Sequence, residues 1–553
     1  MAPLMAMMMV PVMYYLGKQL WNRCAGLAAA CLIAIISLYY FTMSSDGWTD
    51  HHVSEVLFST IFILIYCSAL NYLQKNPVDL KKGTTFFFPV VFSIGAGITW
   101  FLALLSSTTV ILVLLVVAIY TAVQYILDYY QGNNSDHLLI VNVILLSVTA
   151  VLLLLFGIRQ PGTSITQYSI GVVYVQGALI GETIVLAILS RSCAGKKWLY
   201  TMCLAVIAIG ELILIQINPL LSAISNQTLG LVFGSSAYSV GLVETLPWTL
   251  PNAWDNFNFA LVLMLGGLMV LAYALIKKRE CNTVFLAVWS VVLLLLTIQF
   301  QRFLHYFTVN IALLAAICIA GALTMRWEKI HQCLASVTSR FFPARVLSKD
   351  ILLDQSPGFL PKQNKKREQK RPEPTPTNTV ESIKDILVIL VLIITAAFVV
   401  LSLSQDISYG RETPEHTLSP DWIESLKWLG VNSPDTGIDY YQSYNTAGFT
   451  YPAQSYGIMA VWDAGHWITV FSHHIPITNP FQDNLGGANG GAAYFLSTNE
   501  SQANTILQHF GGKYVITASN IAVDTFTNLV PWQSGSFDIS PRHCWYPDGS
   551  ELD

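Results

Sequence analysis

Apolar runs of membrane-spanning length dominate the first three-quarters of the chain. Twelve segments stand out, near 1–16, 24–43, 55–74, 86–104, 107–127, 137–157, 168–190, 199–217, 258–277, 282–300, 303–324 and 383–404. A helix needs about 20 mostly apolar residues to cross the hydrocarbon core, and most of these segments reach that length. The stretch 1–16 is the shortest, and 168–190 carries Glu182. The pattern predicts a polytopic α-helical membrane domain over 1–324. Residues 325–382 follow as a connector, basic and then rich in Pro and Thr, with too little apolar surface to fold alone. After a last span at 383–404, residues 405–553 turn to Gly, Asn, Asp and aromatics with short apolar runs such as Tyr514-Val515-Ile516-Thr517. That stretch predicts a small mixed α/β domain. The loop 218–257 lacks a spanning-length run and carries Asn, Ser, Gly and Pro punctuation. A loop of that length is commonly functional.

Positive charges orient the spans. Lys18, Arg23, Lys75, Lys81, Lys82, Arg191, Lys196, Lys197, Lys277, Lys278 and Arg279 fall in alternate loops, and Lys362, Lys365, Lys366, Arg367, Lys370 and Arg371 join them. With twelve spans these loops are all cytoplasmic. The loops 44–54, 158–167 and 218–257 and the domain 405–553 are then extracytoplasmic, as is the first residue of the chain. Composition agrees with a cell-membrane, multi-pass protein: 54% of residues are apolar and 11% charged, against roughly 25% charged in soluble domains. A net charge of −4 is near neutral, and nothing in it points to nucleic acid as a partner. Nine cysteines without metal-ligand spacing argue against a zinc site or a disulfide framework.

Four polar clusters lie on the outer side. Asp46-Gly47-Trp48-Thr49-Asp50-His51-His52-Val53-Ser54-Glu55 precedes a span. Asp50 and His52, two residues apart, can turn carboxylate and imidazole toward one divalent cation such as manganese or magnesium; a solvated interfacial loop is the plainer alternative. Glu244, the only carboxylate in its long loop before Asp255, is either solvated or functional. Arg302, between two spans, either snorkels to headgroups or clamps a phosphate with its fork of donors. Trp462-Asp463 before Ala464-Gly465 is either a packed turn or a recognition element. Independent solvated loops do not predict that all four fall on one side.

In series these segments resemble those of archaeal oligosaccharyltransferase catalytic subunits. Asp50-His51-His52-Val53-Ser54-Glu55 resembles the family's second acidic motif, and Ser239 to Glu244 its Thr-Ile-X-Glu motif, matched strictly at the Glu. Arg302-Phe303-Leu304-His305-Tyr306-Phe307 resembles its Arg-Phe-X-X-Tyr-Phe segment. Trp462-Asp463-Ala464-Gly465-His466-Trp467-Ile468 is similar to its Trp-Trp-Asp-Tyr-Gly signature with the trailing His-Trp-Ile, and Asn479-Pro480-Phe481-Gln482 fits downstream. Val461 stands where the signature has its first Trp and Ala464 where it has Tyr. The family begins with one further helix and a large external loop bearing a first acidic motif, so the resemblance identifies this chain as N-terminally truncated. The nearest candidate for the family's second acceptor motif is Ile521 to Val530.

The resemblance implies a membrane fold of the GT-C type. It also implies transfer of an oligosaccharide from a dolichyl or polyprenyl (pyro)phosphate to the Asn of Asn-X-Ser/Thr in extracytoplasmic polypeptides, by a single-subunit enzyme. Asp50, His52 and Glu244 would hold Mn²⁺ or Mg²⁺, Glu244 and Asp50 would be catalytic, and Arg302 would hold the lipid phosphate. Trp462 and Asp463 would read the Ser/Thr hydroxyl. The sequons at Asn226 and Asn499 fall outside and are candidates for glycosylation, while Asn133-Asn134-Ser135 is cytoplasmic. The rival readings are an inactive or truncated paralogue, another polyprenyl-phosphate-sugar transferase, and a transporter. The last places its polar sites near the bilayer midplane rather than at one face.

Overall fold

The computed structural model describes residues 2–36, 38–44, 51–76, 84–158, 162–165, 167–233, 247–277, 279–326, 378–412, 418–442, 444, 449–480 and 483–518, with short stretches at 529–530, 532–533, 544–545 and 551–552. The described chain divides into two compact units, one running to Arg411 and the other holding the described residues from 418 onward.

The first unit is all helix. Its helices are α1 (Ala2–Leu20), α2 (Arg23–Ile33), α3 (Leu38–Ser44), α4 (His52–Lys75), α5 (Thr84–Ser106), α6 (Leu112–Gln131), α7 (Asp136–Phe156), α8 (Ile170–Ser192) and α9 (Lys197–Ile217). They are followed by α10 (Pro219–Phe233), α11 (Leu250–Phe257), α12 (Ala260–Lys277), α13 (Cys281–Gln299), α14 (Leu304–Met325) and α15 (Asn378–Glu412). Among the described residues, 10 helices are long and apolar enough to cross a membrane. The first unit is therefore the body of a multi-pass membrane protein.

One of the twelve expected spans is corrected. The apolar run 24–43 is not one helix: α2 ends at Ile33 and α3 is only 7 residues long. The break falls where the β-branched Ile33, Ile35 and Ile36 cluster, side chains that crowd a helical turn. The run 1–16 does become a helix, α1, but it is not among the 10. It pairs with α2 in a tight hairpin, where a Cβ on Gly17 would sit 2.9 Å from Gly26 Cα and one on Gly26 would strike the Tyr14 carbonyl. Small residues let membrane helices approach this closely. The loop 218–257 is likewise helical at both ends, as α10 and α11. Thr249 caps α11 by accepting from the Asn252 N–H, and Pro251 occupies the first turn, where no N–H is needed.

Within this unit α14 is central: 83% of its best apolar window is buried, against 6% for α9 and 17% for α15. It packs against α12 and α2, while α4 packs on α5 and α1, and α7 links α5 to α8. Gly267 of α12 lies against the Leu314 carbonyl of α14, where any Cβ would collide with backbone. Polar side chains join helices deep in the bundle. Tyr66 of α4 donates to Asn142 of α7 at 3.0 Å, and the Asn142 amide donates to Thr121 of α6 at 2.9 Å and Thr183 of α8 at 3.3 Å. With no water in hydrocarbon, such groups must find each other.

The second unit carries α16 (Pro420–Asn432), β1 (Gly457–Met459), β2 (Ile475–Pro476), α17 (Gly491–Phe495), α18 (Glu500–His509) and β3 (Gly512–Val515). These three strands form a parallel sheet in the order β2-β1-β3, and Cys544–Trp545 pairs separately, antiparallel, with Glu551–Leu552. The expected mixed α/β character is present. Between β1 and β2 the chain runs through irregular helical turns over 462–472. Leu426 and Leu429 of α16 pack on Tyr456, Ile458, Ala464 and Ile468 to make the core on that side.

Candidate functional site

The most concentrated polar site of the first unit lies where α4 begins. Glu55 sits in the first turn of α4, where a carboxylate faces unpaired backbone N–H groups and the positive end of the helix dipole. The three-residue spacing places His52 and Glu55 on one face of the helix, and the His52 Nδ1 lies 3.2 Å from Glu55 Oε2. From α14, Tyr306 donates its hydroxyl to the same oxygen at 2.6 Å, and His305 brings its Nε2 to within 3.3 Å of it. His51 Nε2 stands 3.1 Å from the other oxygen, Oε1. Glu55 is wholly buried, with His52, His305 and Tyr306 nearly so, while His51 faces outward. The imidazoles pack at a tilt, His51 on His52 at 4.5 Å and His52 on His305 at 4.3 Å between ring centroids.

Ligand atoms of His51, His52 and Glu55 all lie within 4.8 Å of one another. Glu55 Oε1 is buried without a well-aligned hydrogen bond. Imidazole nitrogens backed by a buried carboxylate suit a borderline divalent cation, the carboxylate fixing the histidine that ligates it. The residues present therefore fit a metal.

Of the expected site residues, His52 is in this cluster. Asp50 and Glu244 lie outside the described residues. Arg302 occupies a single turn, Gln301–Phe303, leading directly into α14, three residues before His305. Its guanidinium lies over the Phe303 ring at 5.9 Å and makes no ion pair among the described residues. Glu55, His305 and Tyr306 were not expected as site residues. The signal for them was the His52-x-x-Glu55 spacing and the position of His305-Tyr306 beside Arg302.

In the second unit the Trp462-Asp463 pair splits. Trp462 is buried with Val461, Leu485, Ala492 and Leu529. Asp463, on the same turn, is exposed and makes no hydrogen bond among the described residues. The protein crowding its base strips enough water to push its carboxyl above the usual range. Gly465 fixes this turn: a Cβ there would stand 2.7 Å from Asn479 Cα. Asn499 is exposed and caps α18 by accepting from the Ser501 N–H at 2.8 Å. Asn226 lies exposed inside α10.

Residues 419–522 match the family model described as the AglB core domain. The chain is 24% identical over 96% of its length to dolichyl-phosphooligosaccharide-protein glycotransferase 3 of Archaeoglobus fulgidus, covering 59% of that protein. It is 23% identical over 96% of its length to the dolichyl-monophosphooligosaccharide-protein glycotransferase AglB of Haloferax volcanii, covering 55% of it. Its homologues are archaeal AglB oligosaccharyltransferases. The fold follows the same line. All of the chain superposes on the A. fulgidus oligosaccharyltransferase solved with an inhibitory peptide and a dolichol-phosphate, at a TM-score of 0.74 and 22% identity, covering 62% of that chain. A structure of the A. fulgidus enzyme with zinc and sulfate gives a TM-score of 0.67 at 20% identity. The chain thus spans somewhat more than half the length of the relatives it matches. The AglB core match contains Trp462, Asp463 and Asn499, and the longer alignments take in the α4 and α14 clusters.

Proposed function

We propose that this protein transfers an oligosaccharide from a dolichyl or related polyprenyl (pyro)phosphate to the Asn of Asn-X-Ser/Thr in acceptor polypeptides. The observation that carries this reading is the convergence of His52, Glu55, His305 and Tyr306 beside Arg302, in a chain whose homologues along nearly its whole length are named for that reaction.

The chemistry sets the requirements. A carboxamide nitrogen is a poor nucleophile because its lone pair is delocalised, so the acceptor amide must be held with that lone pair released while a phosphate leaves the anomeric carbon. In our reading Asp50, His52 and Glu244 hold the divalent cation, Mn²⁺ or Mg²⁺. Glu244 would act on the acceptor amide as well as on the cation. A cation bound there supplies Lewis-acid stabilisation of charge on the departing phosphate. Arg302 holds the lipid phosphate with fixed donors; its freedom from any described ion pair supports that role. Trp462 and Asp463 read the acceptor hydroxyl: Trp462 anchors the turn and Asp463 presents an unpaired carboxylate. The loop charges support placing the second unit outside the cytoplasm and the 325–382 connector within it. The enzyme then works as a single subunit.

Glycan transfer to an Asn-X-Thr peptide, followed by mass spectrometry on the chain reconstituted in bilayers, tests this reading. Transfer should occur with manganese, stop on chelation and resume when manganese is restored. Metal-independent transfer contradicts the metal assignment, and no transfer under any condition overturns the enzymatic reading.

A further inference from the structure

Glu55 has no assigned part in the chemistry above, yet among the described residues it is the most enclosed carboxylate of the first unit and has four polar neighbours. Tyr306 can satisfy a carboxylate only by donating, and it does so to Oε2 at 2.6 Å from a helix 251 residues away in sequence. His52 approaches the same oxygen through Nδ1 at 3.2 Å. A carboxylate oxygen only accepts, and a neutral imidazole carries one proton on one of its two nitrogens. With Glu55 as the acceptor, the nitrogen that faces it is the one that donates. That leaves the His52 lone pair on Nε2, on the far edge of the ring. A lone pair is what a metal ligand must offer, and a carboxylate behind a ligating histidine both fixes its tautomer and raises its basicity. The His305 ring packed at a tilt against the His52 ring, 4.3 Å between centroids, restricts its rotation further.

We propose that Glu55 is a positioning residue for the metal. It holds His52 as the Nδ1–H tautomer with Nε2 aimed away from it, and Tyr306 braces Glu55 in that role. The inference rests on the metal-dependent reading above, but its first test requires no metal. Glu55 acts through His52 and is not itself a ligand.

The tautomer is read by nitrogen NMR on the full chain in bilayers, labelled with ¹⁵N-histidine and freed of metal by chelation. The His52 signals are identified by their loss in His52→Gln. In the wild type, Nδ1 should be protonated and Nε2 bare. Glu55→Gln has nearly the same shape and keeps an accepting carbonyl, so it should preserve that tautomer. Glu55→Leu removes the acceptor and should give a mixture or the Nε2–H form. Binding of Mn²⁺ by the same proteins, followed by the electron spin resonance of the free ion, adds the second arm. Glu55→Leu should weaken it by about 10- to 100-fold, the range for losing the group behind a ligating histidine. The same change in a His52→Gln background should cost nothing more.

A proton on Nε2 in the wild type overturns the proposal. So does an equal loss of affinity from Glu55→Leu with and without His52, which would make Glu55 a ligand or a general support of the fold. The expected tautomers in a wild type that binds no Mn²⁺ would retire the metal reading while leaving the hold of Glu55 on His52 in place.

Discussion

The two polar centres of this molecule are built in opposite ways. Around Glu55, polar atoms of His52, His305 and Tyr306 turn inward on one enclosed carboxylate, with His51 at the rim. At Asp463 an unpaired carboxylate stands exposed on a turn whose neighbouring Trp462 is buried. The first is held in place before any ligand arrives, as electrostatic preorganisation requires. The second is presented for a partner that comes from outside. A resident cation and a transient peptide would ask for these two constructions respectively.

The largest effect should come from the enclosed centre. His52→Ala removes a proposed ligand, and transfer should fall by more than about 100-fold, beyond the usual loss from a residue merely behind a ligand. Mn²⁺ binding should fall with it. Retained Mn²⁺ affinity would break the assignment. Asp463→Asn should come next, lowering transfer by about 10- to 100-fold, a range set by analogy with losing one preorganised polar contact. Its thermal stability should be no lower than that of the wild type, because no described partner is lost. A stability loss matching the activity loss would place Asp463 in the fold instead.

Tyr306→Phe tests the brace alone. Leaving Glu55 without its phenol should cost about 1 kcal/mol of stability, small because partners are re-formed within the membrane. The variant should also bind Mn²⁺ less tightly than the wild type but more tightly than Glu55→Leu. The smallest effect concerns pH. Water lost to the protein crowding its base raises the Asp463 carboxyl above its unfolded value, so the folded state holds that proton more tightly. Stability from this group is thus present below the unfolded pKa and declines as pH rises through the folded one. Asp463→Asn should remove that slope in a comparison of thermal unfolding across the carboxylate range.

The membrane body was legible because it needs only long apolar runs and a bias of Lys and Arg. What those signals do not carry is continuity: the run 24–43 is apolar throughout yet splits into α2 and α3, and α10 and α11 hide in a stretch punctuated by Asn and Pro. The sites divide the same way. His52 and Arg302 were singled out as candidates by residue type beside a span. Glu55 was visible only as a helix-start residue, because its partners His305 and Tyr306 lie some 250 positions away and no periodicity connects them. Trp462 and Asp463 were expected to act together, yet the Trp packs inside while the Asp is exposed. Val461 and Ala464, at the departures from the signature, are buried in the cores around this turn.

The central claim is that this protein glycosylates the Asn of a hydroxyl-bearing sequon. The most direct measurement compares initial rates of glycan transfer to two peptides that differ only in Asn-X-Thr against Asn-X-Val, with manganese present. A site that hydrogen-bonds a required hydroxyl rejects the isosteric methyl strongly. Transfer to the Thr peptide should be at least about 100-fold faster, and Asp463→Asn should shrink that ratio. Equal rates on both peptides, or a ratio untouched by Asp463→Asn, would contradict it.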